Sequence, residues 1–167
     1  MHVLRYTDEM ERIASKESAR TVVPKTDARR RLADLKLFVG CTAREMDTVD
    51  SLSTSVRVEA GRVLCREGTI GREFFVIVDG TVTVQVPGQP VHRLGAGEAF
   101  GEMALMDRGR RVATVTANEP TELMVFSVTE FASLLDQVPA VAQELLSTSL
   151  ARRRMLDAPT QEEQRAH

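Results

Sequence analysis

Hydrophobic residues before position 53 recur at helical spacing, in two separate groups. These groups are Leu32, Leu35 and Phe38, followed by Met46, Val49 and Leu52. Between them, Thr42 and Glu45 have the spacing of a capping box, in which the two side chains bond the first free N–H groups of a helix. The pattern predicts two short helices, with a break near Gly40.

The pattern changes between about Val56 and Phe126, where apolar and polar residues alternate and turn residues recur every few positions. In EFFVIVDGTVTVQVPG, the pair Asp79-Gly80 stands between two apolar runs and predicts a hairpin. After that turn, valines alternate with polar residues, so one face of the next strand is apolar. Seven or eight short strands joined by Gly-rich turns predict a sandwich or a jelly-roll barrel.

The helical pattern returns after the strands. Ser127 and Glu130 form a second capping box, and Pro139 suits the first position of a long helix that ends near residue 157. The apolar stripe of that helix is modest, and it fits the protein core and a dimer seam equally well. The stripe consists of Ala142, Leu145, Leu146, Ser149 and Leu150.

The two ends of the chain are polar, which divides it into three predicted parts. These are an N-terminal polar arm at 1–27, one domain at 28–157 and a polar tail at 158–167. The arm contains only sparse apolar residues, Met10 and Ile13, so we expect it to lie outside the core. The predicted fold is mainly β with flanking helices: helices precede about eight strands and a long C-terminal helix follows them.

The composition excludes several classes of protein. A formal charge of −2 gives no general basic field for nucleic acid, and the three dispersed histidines, His2, His92 and His167, suggest no metal site. No Ser/His/Asp set, phosphate-binding P-loop or cysteine nucleophile is present, so we expect no enzyme and no catalytic residues. Cys41 and Cys65 stand alone, and no apolar run approaches the ~20 residues of a membrane span. We expect a cytoplasmic protein with reduced thiols and no membrane segment.

The stretch FGEMALMDRGRRVATV at residues 100–115 has two interpretations. It is either an ordinary turn with buried apolar residues and solvent-facing charges, or a pocket for an anion. Gly101-Glu102 leads into about one helical turn, whose free N–H groups favour an anion. Arg111 follows at the start of a predicted strand, where a guanidinium can bond phosphate bidentately. A carboxylate beside a phosphate site is useful only if it accepts bonds from hydroxyls, so Glu102 suggests a sugar phosphate.

The motif F-G-E-x-A-L-x(5)-R-x-A-T-V resembles the phosphate-binding cassette of cyclic nucleotide-binding domains. This family includes regulatory subunits of cAMP-dependent protein kinase, catabolite-activator-type regulators and cyclic nucleotide-gated channels. The resemblance covers about residues 31–135 and includes the upstream glycines of VEAGRVLCREGTIGREFFVIVDGTVTV. It implies the family's β-roll, here without an attached DNA-binding or membrane domain.

The resemblance implies a role for each residue of the cassette. Glu102 accepts a bond from the ribose 2′-hydroxyl after the close turn at Gly101, and Arg111 pairs with the cyclic phosphate. Backbone N–H groups of the cassette face the ribose-phosphate, and barrel residues pack on the purine, while Arg108 and Arg110 face water. The implied binding residues are Phe100, Gly101, Glu102, Met103, Ala104, Arg111, Val112, Ala113 and Val86.

Two departures from the family pattern affect the implied function. Many members have proline before the arginine, where this chain has Arg110. In the family a Thr or Ser hydroxyl after the arginine tends to favour cGMP, and Val112 has none, so the resemblance implies cAMP rather than cGMP as the ligand. The branched bulk of Val112 leaves an alternative open: a degenerate domain that serves as a protein–protein interaction module without ligand.

The resemblance therefore implies a regulatory or sensor protein in which the ligand repositions the C-terminal helix. Only about ten residues follow ARRRMLD, too few for a helix-turn-helix, so we expect no direct DNA binding. The cluster Arg152–Arg154 lies near a helix C-terminus, where positive charge is favourable in any case. The sequence implies a protein effector without identifying it, and it is compatible with a homodimer.

Overall fold

The computed structural model of the protein describes residues 20–23, 35–106 and 109–157. Within these residues the chain forms two antiparallel sheets, flanked by helices on one side. The strands are β1 (Thr21–Val22), β2 (Thr54–Val58), β3 (Val63–Cys65), β4 (Glu73–Asp79), β5 (Val82–Gln85), β6 (His92–Leu94), β7 (Ala99–Phe100), β8 (Thr114–Ala117) and β9 (Thr121–Ser127). The helices are α1 (Ala43–Leu52), α2 (Glu102–Met106), α3 (Val128–Gln137) and α4 (Pro139–Asp157), with a 3-10 helix at Lys36–Phe38. The predicted mainly β fold with flanking helices is confirmed.

The first sheet has the strand order β1-β2-β9-β4-β7, and the second has the order β3-β8-β5-β6. The two central strands of the first sheet are buried on both faces, which explains their unbroken apolar sequences. In β4, Phe75 and Ile77 face the second sheet, while Phe74 and Val76 face the helices. Each apolar run therefore serves two cores at once.

The predicted hairpin at Asp79-Gly80 is wrong. β4 pairs with β9 and β7 in the first sheet, whereas β5 pairs with β8 and β6 in the second. The tight turn does occur, with Gly80 at φ 100°, but it carries the chain from one sheet to the other. The sequence correctly predicts a tight turn at Asp79-Gly80. Residues far along the chain decide which strands β4 and β5 pair with.

The helix boundaries agree with the capping patterns. The Thr42 hydroxyl accepts a bond from the Glu45 N–H at 3.1 Å, and the Glu45 carboxylate accepts from the Thr42 N–H at 3.0 Å. The Ser127 and Glu130 box forms in the same way, and α4 begins at Pro139 as predicted. Before α1, Leu35 and Phe38 are buried as expected, but Phe38 ends a 3-10 helix for which Leu35 is the N-cap residue, and Leu32 lies outside the described residues.

Two further features differ from the sequence pattern. The stretch 20–23, inside the predicted polar arm, adds β1 to the edge of β2. On α4, the buried face consists of Val141, Leu145 and Ser149, while Leu146 and Leu150 are at least half exposed. The predicted stripe thus mixed two faces of the helix. The division at residues 27 and 157 stays a prediction, and Met10, Ile13 and the tail at 158–167 lie outside the described residues.

Replacing Gly80 with alanine is expected to destabilise the fold by about 3 kcal/mol. An added Cβ would lie 2.5 Å from Thr121 Oγ1 and 2.9 Å from Thr121 Cα, in addition to the cost of the positive φ. The matched control is Gly61→Ala, because Gly61 has a similar φ of 86° with no atom within 4 Å of the added carbon. Urea unfolding of both variants measures the difference. Equal losses of stability would show that crowding at the sheet-to-sheet turn is unimportant.

Candidate functional site

A cavity of about 330 Å³ opens between the second sheet and the segment that contains α2. This volume lies at the lower end of the range of small-molecule sites. Its walls include every residue that the sequence predicted for ligand binding: Phe100, Gly101, Glu102, Met103, Ala104, Arg111, Val112, Ala113 and Val86. The structure thus brings together residues from β7, the turn after it, α2, the loop before β8 and the position just after β5.

Gly101 forms the predicted close turn between β7 and α2, with φ at 94°. A Cβ at this position would lie 2.7 Å from Arg111 Nη1 and 2.9 Å from the carbonyl oxygen of Glu73. Both distances are too short for a carbon atom, so only glycine lets the arginine side chain pass here. Gly101 is therefore needed both for the positive φ of the turn and for the space that the Arg111 side chain occupies.

Arg111 is held in place by its backbone and by its side chain. Its N–H donates to the carbonyl of Thr69 at 2.6 Å, and its carbonyl accepts from the N–H of Gly68 at 2.9 Å. The sequence placed Arg111 at the start of a strand, but β8 begins only at Thr114, and the loop at 68–69 fixes the backbone instead. Arg110 is exposed and donates to the carbonyl of Gly68, while Arg108 lies outside the described residues.

Arg111 is buried, with only 8% of the residue exposed to solvent. Nη1 donates to the carbonyl of Gly101 at 3.0 Å, and Nη2 donates to the carbonyl of Glu73 at 2.7 Å. These two bonds orient the group but use only part of its N–H donors and cancel none of its charge. Within the described residues no carboxylate lies at ion-pair distance from it, so its charge is uncompensated.

Glu102 is 1% exposed and meets a residue that the sequence did not assign to the site. Its Oε1 accepts from Arg152 Nη1 at 2.6 Å, while its Oε2 has no hydrogen-bond partner among the described residues. Arg152 Nη2 also donates to the carbonyl of Ala99 at 2.6 Å. The C-terminal helix α4 therefore reaches into the cavity and bonds the carboxylate predicted to hold a ribose.

A second contact joins α4 to the cassette helix. The hydroxyl of Ser149 donates to the sulfur of Met106, at 3.8 Å, one turn before Arg152. The sequence analysis treats Arg152 only as a favourable charge at a helix end, which still applies to Arg154 in the last turn. The helical spacing of Leu145, Ser149 and Arg152 does place Arg152 on the buried face of α4. Spacing alone did not indicate which element this face would meet.

The deeper wall of the cavity includes Cys65, which the sequence left without a role. Burial raises the pKa of its thiol to about 11, and the negative charges of Glu73 and Glu102 act in the same direction, against the positive charges of Arg111 and Arg20. Cys41 lies elsewhere, half-buried, and its pKa is raised by burial and by Glu45. Both thiols are free in the structure.

The described residues offer no group of three or more His, Cys, Asp or Glu side chains arranged to hold a metal ion. His92 lies at the exposed edge of the cavity rather than in a ligand cluster. No helix in the described ranges is long and apolar enough to cross a membrane.

Residues 55–138 match the model of the family described as "Cyclic nucleotide-binding domain". The matched segment amounts to half of the chain and contains β2 to α3, with the whole cassette. The chain belongs to the cyclic nucleotide-binding domain family. This membership agrees with the resemblance carried by the cassette motif.

Known members of the family resemble both the sequence and the fold. A cyclic nucleotide-gated potassium channel of Rhizobium etli is 44% identical over 96 residues, which cover 58% of this chain and 27% of the channel. The catabolite activator protein of Thermus thermophilus superimposes with a TM-score of 0.63 at 30% identity, covering 72% of this chain and 59% of that protein. The regulatory domain of Toxoplasma gondii protein kinase A, solved with cAMP, gives a TM-score of 0.65 at 23% identity and covers 77% of this chain and 50% of that chain. The chain spans about a quarter of the channel's length.

The buried thiol of this cyclic nucleotide-binding domain is expected to be inert near neutral pH. With a pKa of about 11, fewer than about one Cys65 in a thousand is ionised there, and only the thiolate reacts. A chromogenic disulfide reagent should therefore modify Cys41 first and Cys65 only after unfolding. Cys65→Ser should leave the fast reaction unchanged. Loss of the fast reaction in that variant would contradict the assignment.

Proposed function

We propose that this protein is a cyclic nucleotide sensor whose ligand is cAMP and whose response is a movement of α4. The observation that carries the proposal is the shared cavity, which the buried residues Arg111 and Glu102 both line. A cyclic nucleotide offers a phosphate with one negative charge and a neighbouring ribose hydroxyl. The Arg111 guanidinium is opposite in charge to the phosphate, and the Glu102 carboxylate can accept a hydrogen bond from the hydroxyl.

The charge of the cavity supports a monoanion as the ligand. Its buried and half-buried charged side chains are Glu102, Arg111 and Arg152, which leaves one positive charge in excess. Burying an uncompensated charge is costly, so an entering phosphate diester would stabilise the site by supplying the missing negative charge. The free donors of Arg111 would bond its oxygens bidentately.

The Arg152–Glu102 ion pair supports the movement of α4. This pair occupies Oε1 of the carboxylate that the ribose would use, while Oε2 has no partner among the described residues. A ligand hydroxyl bonded to Oε1 would compete with Arg152, and loss of the Arg152 bond would weaken the attachment of α4 to the cassette. The ligand then favours the arrangement in which α4 has moved, because the two arrangements differ in their affinity for it.

Val112 supports cAMP as the preferred ligand. It lies at the edge of the cavity, with 42% of its surface exposed, and it offers a backbone N–H but no hydroxyl. In the family a hydroxyl at this place tends to favour cGMP. A guanine base therefore lacks one partner here, and we expect tighter binding of cAMP than of cGMP.

The proposed sensor is regulatory rather than catalytic and acts in the cytoplasm on a protein effector. Leu146 and Leu150 lie one turn apart on the exposed side of α4, which makes this side a suitable contact for an effector or for a second copy of the chain. A shift of α4 would change the presentation of both leucines. Chromatography coupled to light scattering, with and without cAMP, distinguishes the homodimer from the monomer.

Replacing Arg111 with alanine is expected to weaken cAMP binding about 100-fold or more. The variant removes the charge and the bidentate donors that face the phosphate, and each charge-assisted bond contributes about 1.5–3 kcal/mol. Isothermal titration calorimetry of the purified protein measures the change. Unchanged affinity would place the ligand in another pocket.

Two comparisons complete this experiment. Glu102→Gln retains an acceptor for the ribose and is expected to lose less affinity, roughly tenfold. Titration of the unmodified protein with cAMP and cGMP tests the alternative function, a degenerate domain that contacts proteins without a ligand. Heat with neither nucleotide would support that alternative.

Replacing Arg152 with alanine is expected to tighten cAMP binding about threefold to tenfold. The variant removes the competitor of the ribose hydroxyl and leaves the buried carboxylate in need of a donor. The matched control is Arg154→Ala, which removes the same charge two residues further along α4 from an exposed position. Calorimetry should detect no change in this control.

Hydrogen exchange gives the corresponding structural readout. In the unmodified protein, cAMP should speed amide exchange in the second half of α4, and Arg152→Ala should show fast exchange there without ligand. Weaker cAMP binding by Arg152→Ala, with the Arg154→Ala control unchanged, would contradict competition and would make Arg152 a direct ligand contact.

A further inference from the structure

Arg20 lies outside the segment matched by the family and yet reaches the neighbourhood of the cavity. It immediately precedes β1, whose Thr21 and Val22 pair with Arg57 and Val56 of β2. Its Nη1 donates to Glu73 Oε2 at 2.9 Å, and its Nη2 donates to Glu73 Oε1 at 3.0 Å. This is a bidentate, partly buried ion pair, which fixes the direction of the carboxylate as well as its charge.

Glu73 connects this pair to the predicted phosphate arginine. Its carboxylate bonds Arg20, and its carbonyl oxygen accepts from Arg111 Nη2 at 2.7 Å. As the first residue of β4, Glu73 shares the inner face of the strand with Phe75, two residues later. The Phe75 ring stacks on Phe100 of the cavity wall, with centroids 4.8 Å apart. The Glu73 side chain thus lies on the same side of the sheet as the cavity.

The two guanidinium groups lie around the same ring. The Arg20 Cζ is 5.9 Å from the Phe75 centroid, and the Arg111 Cζ is 6.0 Å from it. Without its own partner, the Glu73 carboxylate would place a negative charge on the residue whose carbonyl bonds Arg111, and it would lower the positive potential that a phosphate meets there. The ion pair with Arg20 reduces this effect, because the guanidinium satisfies and neutralises the carboxylate.

We propose that Arg20 is a positioning residue of the anion site, which holds and neutralises the Glu73 carboxylate so that the charge of Arg111 stays available to a phosphate monoanion. This inference rests on the proposed function. It assigns a role in ligand binding to a segment that precedes the matched domain and that contacts the site through one side chain.

The two partners of the pair distinguish this role from a merely structural one. If the ion pair only attached β1 to the sheet, loss of either side chain would break the same bonds and shift affinity in the same direction. If Arg20 acts by neutralising Glu73, loss of the cation weakens anion binding, whereas loss of the carboxylate's charge does not. The direction of the change in affinity when Glu73 loses its charge therefore distinguishes the two roles.

Calorimetric titration with cAMP tests these signs. Arg20→Ala is expected to weaken binding roughly threefold to tenfold. Glu73→Gln is expected to retain or increase affinity, and the double variant should return to the affinity of the unmodified protein. Arg20→Lys should restore part of the loss, because it keeps the charge without the bidentate geometry. Arg57→Ala, opposite Thr21 on the exposed side of β2, controls for the loss of a nearby positive charge.

A ligand-free measurement separates this inference from the proposed function. The thiol of Cys65 responds to both members of the pair, since the charge of Glu73 raises its pKa and that of Arg20 lowers it. In a Cys41→Ser background with isotope-labelled cysteine, Glu73→Gln should lower the Cys65 pKa in an NMR titration.

Each outcome of the two experiments has one meaning. An unchanged Cys65 pKa, or an equal loss of cAMP affinity in Arg20→Ala and Glu73→Gln, would overturn the role of Arg20 and leave the proposed function intact. An unmodified protein that binds neither cAMP nor cGMP would overturn the proposed function, and the role of Arg20 in phosphate binding with it. Opposite effects of the two variants on cAMP affinity support the inference.

Discussion

The buried, uncompensated charge of Arg111 is the constraint on which the rest of the site depends. Two carbonyl oxygens hold the guanidinium, from Gly101 on one side and from Glu73 on the other, and neither carries a formal charge. A cation in this position is stable only if the surroundings supply negative potential or if an anion enters. This arrangement requires glycine at 101, which leaves space for the arginine side chain. It also requires the short loop at 68–69, which bonds the backbone of Arg111.

The second charged group, Glu102, gives the cavity its connection to the C-terminal helix. A carboxylate that is almost fully buried requires donors, and Arg152 donates to one of its two oxygens. The same turn of α4 also contacts α2 through Ser149 and Met106, so the cassette and the helix share one interface. In the proposed mechanism, a ligand hydroxyl bonded to Glu102 would replace the Arg152 bond that joins α4 to the cassette. Ligand binding and the displacement of α4 would then be one event.

The cassette could be predicted from the sequence because its parts are close along the chain. Gly101, Glu102 and Arg111 lie within a dozen residues of one another, and a turn, a short helix and a charge at fixed offsets limit the possible geometry. Capping boxes were predictable for the same reason. The pairing of β4 and β5 was not, because Asp79-Gly80 specifies a tight turn and says nothing about which sheet receives the next strand. Arg152 is 50 residues from its partner, and Arg20 is 53 residues from its own. Only the packed fold brings such pairs together.

Arg20 and Arg152 approach the site from opposite ends of the domain, and this has a thermodynamic consequence. Each bonds a carboxylate: Arg152 bonds Glu102 in the cavity wall, and Arg20 bonds Glu73, whose carbonyl oxygen accepts from Arg111. If ligand binding releases one of these arginines, anything that pulls the same arginine away must favour the ligand by an equal free energy. A partner that captures α4 in its displaced position would therefore raise the affinity for cAMP. A partner that strips β1 from β2, by contrast, would free the Glu73 carboxylate and lower it. The two flanks of the domain would thus regulate one site with opposite signs.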